Sequence, residues 1–192
     1  MYKILLTGSG GFLGFRIEKS FKRFKNAHVM TIKNKIECDL TNQRFTEYMI
    51  DEVKPDALIH CACTGGGINK NKNYSAYIMQ QNLTMGINIL ESVRKYNKMH
   101  NDKCNHIVMI GSPCMYSEKK SILGSDNVYD GEPISTHRAY GIAKRTIAIM
   151  CDEYNREYFN EDGALAQNLI PGNLYGPGDH YDPVYSTFIP SL

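Results

Sequence analysis

Apolar residues along this chain switch repeatedly between short solid runs and a helical period. "YKILLT" (2–7) is a run of the kind a buried strand needs, and "FLGFRIEKSFKRFKN" (12–26) then sets Phe12, Phe15, Ile17, Phe21 and Phe24 on a broad face of a predicted helix. "HVMTI" (28–32) predicts a second strand and "IECDL" (36–40) a short third, after which Thr41 or Asn42 can cap a helix running towards Val53. "ALIHCA" (57–62) predicts a fourth strand, and the polar, glycine-rich "CTGGGINKNKN" (63–73) separates it from a long helix starting near Tyr74. "HIVMIG" (106–111) predicts a fifth strand, a helix follows over roughly His137 to Phe159, and "ALAQNLI" (164–170) predicts a sixth strand. No internal repeat or low-complexity tract interrupts the series. Strands alternating with helices imply the α/β class, a doubly wound parallel sheet covered on both faces.

The turn after the first strand gives that sheet a candidate chemistry. "TGSGGFLG" (Thr7 to Gly14) places Gly8, Gly11 and Gly14 between a strand and a helix. In a dinucleotide site one such glycine makes the tight turn, one lets backbone amides approach a pyrophosphate, and one permits close helix-to-strand packing. A bare glycine triplet is also compatible with a simple turn; strand, helix and position in the chain together point to a Rossmann-type cofactor site that includes Phe12 and Leu13. The second strand runs into "IKNK", with Lys33 and Lys35 and no acid before Glu37. A basic residue there accommodates a 2′-phosphate, which favours NADP over NAD; the alternative is a solvated strand end. Asp39, followed by Leu40, is placed to contact an adenine ring or to cap the next helix.

"YGIAK" adds a second constellation, because Tyr140 and Lys144 are four apart and share a helix face. A strand-end serine, Ser112, precedes them. Reducing a ketone requires a proton for the developing alkoxide; a phenol can supply it, and a nearby lysine is expected to lower the phenol's pKa. Next to the serine, in "GSPCMY" (111–116), Cys114 offers a thiol able to exchange protons, or else a small apolar group packed behind the strand.

Composition narrows the remaining classes. The 192 residues suit one domain, and the formal net charge of +2 gives no reason to expect a nucleic-acid or membrane partner. "ILL" is far too short for a signal-peptide core, and no run approaches the roughly 20 residues of a membrane span, so the expectation is a cytoplasmic protein. The six cysteines show no paired CxxC spacing, which argues against structural zinc and for reduced, mostly buried thiols.

Taken together, "TGSGGFLG", "CDLT", Asn82 in "QQNLTMGINIL", Ser112 and "YGIAK" resemble the extended short-chain dehydrogenase/reductases, most of which act on nucleotide sugars. Within them the chain is most similar to the GDP-fucose synthase family, the GDP-4-keto-6-deoxymannose 3,5-epimerase/4-reductases, through "TGGGI" (64–68), Gln81 with Asn82, Ser112 with Cys114 and Tyr116, and "PGNLYGP" (171–177). The resemblance implies an NADPH-dependent epimerase/reductase. It implies Tyr140 as proton donor, Lys144 as its tuner and ribose anchor, Ser112 as carbonyl partner, Cys114 as epimerisation acid/base and Asn173 as a substrate residue. It also implies a homodimer built from the two long helices. The runners-up are a 4-keto reductase without epimerisation, a related epimerase or dehydratase, and a binding module without turnover. The family's serine–histidine pair before "VIP" reads Ser186 and Thr187 here, with His180 upstream, so epimerisation is expected to lag behind reduction. Family members are longer. Residues 1–170 are therefore expected to form the cofactor domain and 171–192 to begin a substrate region, the chain being either a fragment or naturally short.

Overall fold

The structure, a computed structural model, describes residues 1–101, 103–119 and 124–179. Five strands form one sheet in the order β2-β1-β3-β4-β5: β1 (Tyr2–Thr7), β2 (Ala27–Ile32), β3 (Ala57–His60), β4 (His106–Ile110) and β5 (Leu165–Leu169). Every pairing is parallel. The helices between them are α1 (Phe12–Phe21), α2 (Gln43–Val53), α3 (Ile68–Asn73), α4 (Ser75–Met99) and α5 (Arg138–Tyr154), which continues as a π-helical turn, Asn155–Phe159. This is the doubly wound α/β arrangement that the alternating pattern implies.

The central strands read as solid apolar runs because both their faces are covered. Leu5, Leu58, Ile107 and Met109 on the sheet pack with Ile50 of α2, Ile89, Leu90 and Val93 of α4, Ile147 and Cys151 of α5, and Phe159. All of these are essentially solvent-free. Asn42 caps α2, its side chain accepting from the Phe45 N–H at 3.2 Å.

The predicted third strand at 36–40 is absent. The Asn34 side chain accepts from the Ile36 and Glu37 N–H groups at 2.9 and 3.3 Å, and Glu37 accepts from the Lys33 N–H at 2.7 Å. Side chains thus satisfy backbone donors that a strand would have spent on a neighbour, and Ile36 is left 97% exposed. The fourth predicted strand stops at His60, and α3 occupies the end of the glycine-rich stretch. The first helix ends at Phe21 rather than Asn26, because the Arg23 and Phe24 N–H groups close tight turns onto Ser20 and Phe21. Its aromatic face is wider than the sheet covers: Phe15 and Phe24 are exposed, Phe15 lying under the Lys19 ammonium at 4.4 Å and Phe24 against Phe21 at 5.9 Å. All six cysteines are free, and only Cys104 and Cys151 are buried.

Candidate functional site

The sheet order reverses at β1 and β3, whose following loops leave in opposite directions and open a crevice at the strands' C-terminal ends. A cavity of about 540 Å³ fills it. Gly8, Gly11, Phe12, Leu13 and Gly14 line one end, Lys33, Asp39 and Leu40 the adjoining wall, and Ser112, Tyr140, Lys144 and Asn173 the other end. The residues expected from the glycine motif, from the second strand's end and from "YGIAK" therefore meet in one space. Cys114 does not line it; Pro113 does.

At the glycine end, the turn needs a bare backbone. Gly8 has φ +76°, and a Cβ there would sit 2.4 Å from the Ala62 nitrogen; one on Gly14 would sit 2.2 Å from the Gly8 oxygen. The loop is tied to β2 by Gly8 and Ser9 N–H groups donating to the Ile32 carbonyl at 2.7 and 3.1 Å. Gly11 starts α1 with no side chain over the helix end. A cradle this close-packed, opening on a helix N-terminus, suits a pyrophosphate.

Beside it, the Lys35 ammonium lies 3.1 Å from the Asp39 carboxylate, which also accepts from the Thr41 N–H and hydroxyl at 3.0 and 2.6 Å. Burial opposes ionisation of Asp39, but the Thr41 bonds and Lys35 together outweigh it and hold the carboxyl below its usual range. Asp39 thus braces its own loop, while Asn42 performs the helix capping. The Asn88 amide donates to the Leu40 carbonyl at 2.8 Å and fixes the same wall from α4.

At the other end, Ser112 lies two residues past β4 and caps the short turn Pro113–Met115, its hydroxyl accepting from the Cys114 N–H at 3.2 Å. Burial raises the Cys114 thiol pKa, eased by Ser112, so that thiol stays protonated. Lys144 is buried and donates to the Ile110 carbonyl at 2.7 Å, with its nitrogen 5.8 Å from the Tyr140 ring centre. Burial pulls its pKa down.

Tyr140 departs from expectation. Burial pushes its pKa well above that of a free phenol, reinforced by the nearby Cys63 and Cys114 and only partly offset by Ser112. The lowering expected beside Lys144 is not found, because loss of hydration around the half-buried phenol penalises the phenolate.

His60, at the end of β3, shares a 2.8 Å hydrogen bond between its Nδ1 and the Thr7 hydroxyl. Its pKa falls to about 3, through burial and then the charge of Lys144, so it stands as a neutral structural partner rather than an acid. The sequence reading missed Cys61 and Cys63, which line the cavity with Thr64, the first residue of "TGGGI". Asn82, singled out only as part of a motif, shows how they are held: its amide donates to the Thr64 carbonyl at 2.6 Å and its oxygen accepts from the Thr64 N–H at 3.2 Å. The glycine-rich stretch after β3 was the available signal. Ser186, Thr187 and His180 lie outside the described residues.

Comparison with known proteins agrees with this geometry. The chain is 35% identical over 191 residues to a GDP-L-colitose synthase of Yersinia pseudotuberculosis, covering 99% of this chain and 58% of that protein. It is 30% identical over 191 residues to a GDP-L-fucose synthase of Dictyostelium discoideum, covering 98% and 57% respectively. A crystal structure of a GDP-D-glycero-L-gluco-heptose synthase from Campylobacter jejuni, obtained in the presence of NADPH, superposes with a TM-score of 0.80 at 26% identity, covering 94% of this chain and 50% of that one. The chain therefore spans 50–58% of the length of these relatives. The sequence model of the NAD dependent epimerase/dehydratase family matches residues 4–192, and with the glycine cradle and the tyrosine–lysine pair sharing one crevice, the chain belongs to that family.

Proposed function

We propose that this chain is the NADPH-binding, reducing half of a nucleotide-sugar 4-keto reductase of the GDP-fucose synthase kind. The observation that carries the reading is the single cavity joining the Gly8–Gly14 cradle to Ser112, Tyr140 and Lys144. Relatives named for GDP-sugar synthases, and one structure obtained in the presence of NADPH, support the substrate class and cofactor.

When bound, the reduced nicotinamide supplies a hydride to the sugar's keto carbon. Tyr140, kept protonated by burial, delivers its proton to the oxygen that becomes an alkoxide. Ser112 would orient the same oxygen, and Lys144, held against the Ile110 carbonyl with its charge over the Tyr140 ring, would anchor the cofactor's ribose. Lys33 on the cavity wall would pair with the 2′-phosphate, and Asn173 at the other end would contact the nucleotide sugar. Residues 1–170 act as the cofactor domain and 171–192 begin the substrate region. Cys114 sits outside the cavity lining with its thiol protonated, so the geometry supports reduction more strongly than epimerisation.

Exposed Tyr77 and Ile87 on α4 and Ile149 on α5 fit the homodimer expected from these two helices. Free thiols fit a cytoplasmic, reducing compartment.

The test follows consumption of NADPH and of GDP-4-keto-6-deoxymannose by the full-length protein. Tyr140→Phe is expected to lose about 10²- to 10⁴-fold in kcat with the cofactor still bound. Lys33→Ala is expected to weaken NADPH binding by about 1–3 kcal/mol and leave NADH unchanged, by fluorescence titration. Wild-type turnover in Tyr140→Phe, or equal loss of both cofactors in Lys33→Ala, would overturn the respective assignment.

A further inference from the structure

We infer that Arg145 is a positioning residue for Ser112, holding the serine in place against the helix that carries Tyr140, an inference that rests on the reductase reading above. The chain on either side of the serine is gripped by neighbouring cations. Two residues before it, the Ile110 carbonyl accepts from the Lys144 ammonium at 2.7 Å. Three residues after it, the Met115 carbonyl accepts from Nε of Arg145. Lys144 and Arg145 are consecutive on α5 and both buried, so a single turn of helix holds residues 110 and 115 with Ser112 between them. Tyr140 lies about one turn earlier on the same helix, so serine and phenol are referred to one rigid element.

Arg145 holds more than one carbonyl. Its Nη1 donates to the Gly131 carbonyl at 2.6 Å and its Nη2 to the Asp130 carbonyl at 3.2 Å. The chain leaves the site past Ser117 and returns at Pro133, and these two residues close the neck of the excursion with an antiparallel bridge. The guanidinium therefore ties both limbs beside that neck to α5, which its fork of donors can do and a single ammonium cannot. Gly141, one turn before Arg145 on the same face, lets the helix come close: a Cβ there would lie 2.2 Å from the Cys114 oxygen and 3.0 Å from the Pro133 Cβ. Both limbs thus rest directly on α5, and Met115 and Tyr116 are buried there with Ala148.

A buried guanidinium is costly unless its donors are satisfied, and here three main-chain carbonyls satisfy them with charge-assisted bonds. The turn they hold moves as one piece, because the Ser112 hydroxyl accepts from the Cys114 N–H at 3.2 Å and the Met115 N–H donates to the Ser112 carbonyl at 3.0 Å. If Met115 slips, the serine hydroxyl slips with it, and a misplacement of about 1 Å can cost on the order of 10²-fold in rate. Ser112, Pro113, Tyr140 and Lys144 line the cavity and Arg145 does not, so Arg145 acts on the reaction through Ser112.

Full-length Arg145→Lys and Arg145→Gln, each alone and combined with Ser112→Ala, test this with NADPH and GDP-4-keto-6-deoxymannose. Each Arg145 variant is expected to lower kcat about 10-fold or more, Arg145→Lys being the milder because it keeps a charged donor for one carbonyl. NADPH affinity, by fluorescence titration, should stay within about twofold of wild type, since the Gly8–Gly14 cradle and Lys33 lie away from the serine end of the cavity. The decisive readout is coupling: in a Ser112→Ala background the Arg145 substitutions should cost less than about twofold more, whereas a merely structural arginine would multiply its loss with that of the serine. A further measurement needs no variant and so decides even if the substitutions prevent folding: in the wild type, amide hydrogen exchange of residues 111–117 should be as slow as that of α5. Wild-type kcat in both Arg145 variants, losses that multiply with Ser112→Ala, or fast exchange over 111–117 overturns the positioning role alone. A wild-type protein that binds NADPH but reduces no keto-sugar overturns the functional reading together with that role.

Discussion

Replacing Gly14 by alanine isolates the packing requirement of the cofactor cradle from its chemistry. The added methyl would lie 2.2 Å from the Gly8 oxygen and 2.8 Å from both the Gly8 carbonyl carbon and the Ser9 Cα. Real Cβ atoms essentially never approach within 3.0 Å, so α1 and the loop must part by about 0.8 Å or more. Every atom in the way is backbone, and the loop cannot yield freely because Gly8 and Ser9 both donate to the Ile32 carbonyl. Overpacking of this kind costs about 1–3 kcal/mol, and the displaced cradle loses its fit to a pyrophosphate. Gly11→Ala is the control. Its Cβ would meet only the Gly8 oxygen, at 3.4 Å, and its φ of −86° is ordinary for alanine. A helix N-cap changed from glycine to alanine costs about 0.5–1 kcal/mol, so Gly11→Ala should fold nearly as well as wild type. It should nonetheless bind cofactor poorly if its bare backbone faces the phosphates. Urea unfolding followed by circular dichroism gives the stability term, and NADPH fluorescence titration gives the binding term. Equal stability losses for the two variants, or a Gly14→Ala protein within about 0.5 kcal/mol of wild type with unchanged affinity, would refute the close-packing argument.

Acid should weaken the fold through His60. Its folded pKa is depressed from 6.5 to about 3, so below pH 6.5 the unfolded chain binds the extra proton and stability falls as pH drops towards 3. That amounts to about 2 kcal/mol between pH 7 and 5; in His60→Gln that slope should flatten, and an unaltered slope would mean that the histidine is not buried neutral. Asn82→Leu should cost about 1–3 kcal/mol in urea, because the Thr64 N–H and C=O lose partners 3.2 and 2.6 Å away. It should also speed hydrogen exchange along the Cys63–Thr64 loop, and unchanged exchange there would show that the loop is held by something else.

Much of this molecule is determined locally. β1 and β4 are apolar runs too short to be helices, and a glycine triplet set between a strand and a helix has few other uses. Tyr140 and Lys144 share a face whatever surrounds them, because the helical period puts them there. From these the sequence alone predicts the sheet class, the cradle and the tyrosine–lysine pair. What it could not decide depends on partners distant in the chain. Residues 36–40 look like a strand by composition, yet the Asn34 and Glu37 side chains take up the donors first. Local pattern does not record such competition. The meeting of Asn82 with Thr64 follows from how α4 lies across the loop after β3, 18 residues away. The acidity of Tyr140 shifted opposite to the simple expectation, because pKa responds to enclosure as well as to charge, and enclosure is a property of the packed site. For the same reason Cys63, one thiol among six in the sequence, joins the cavity wall only through the path of the loop after β3.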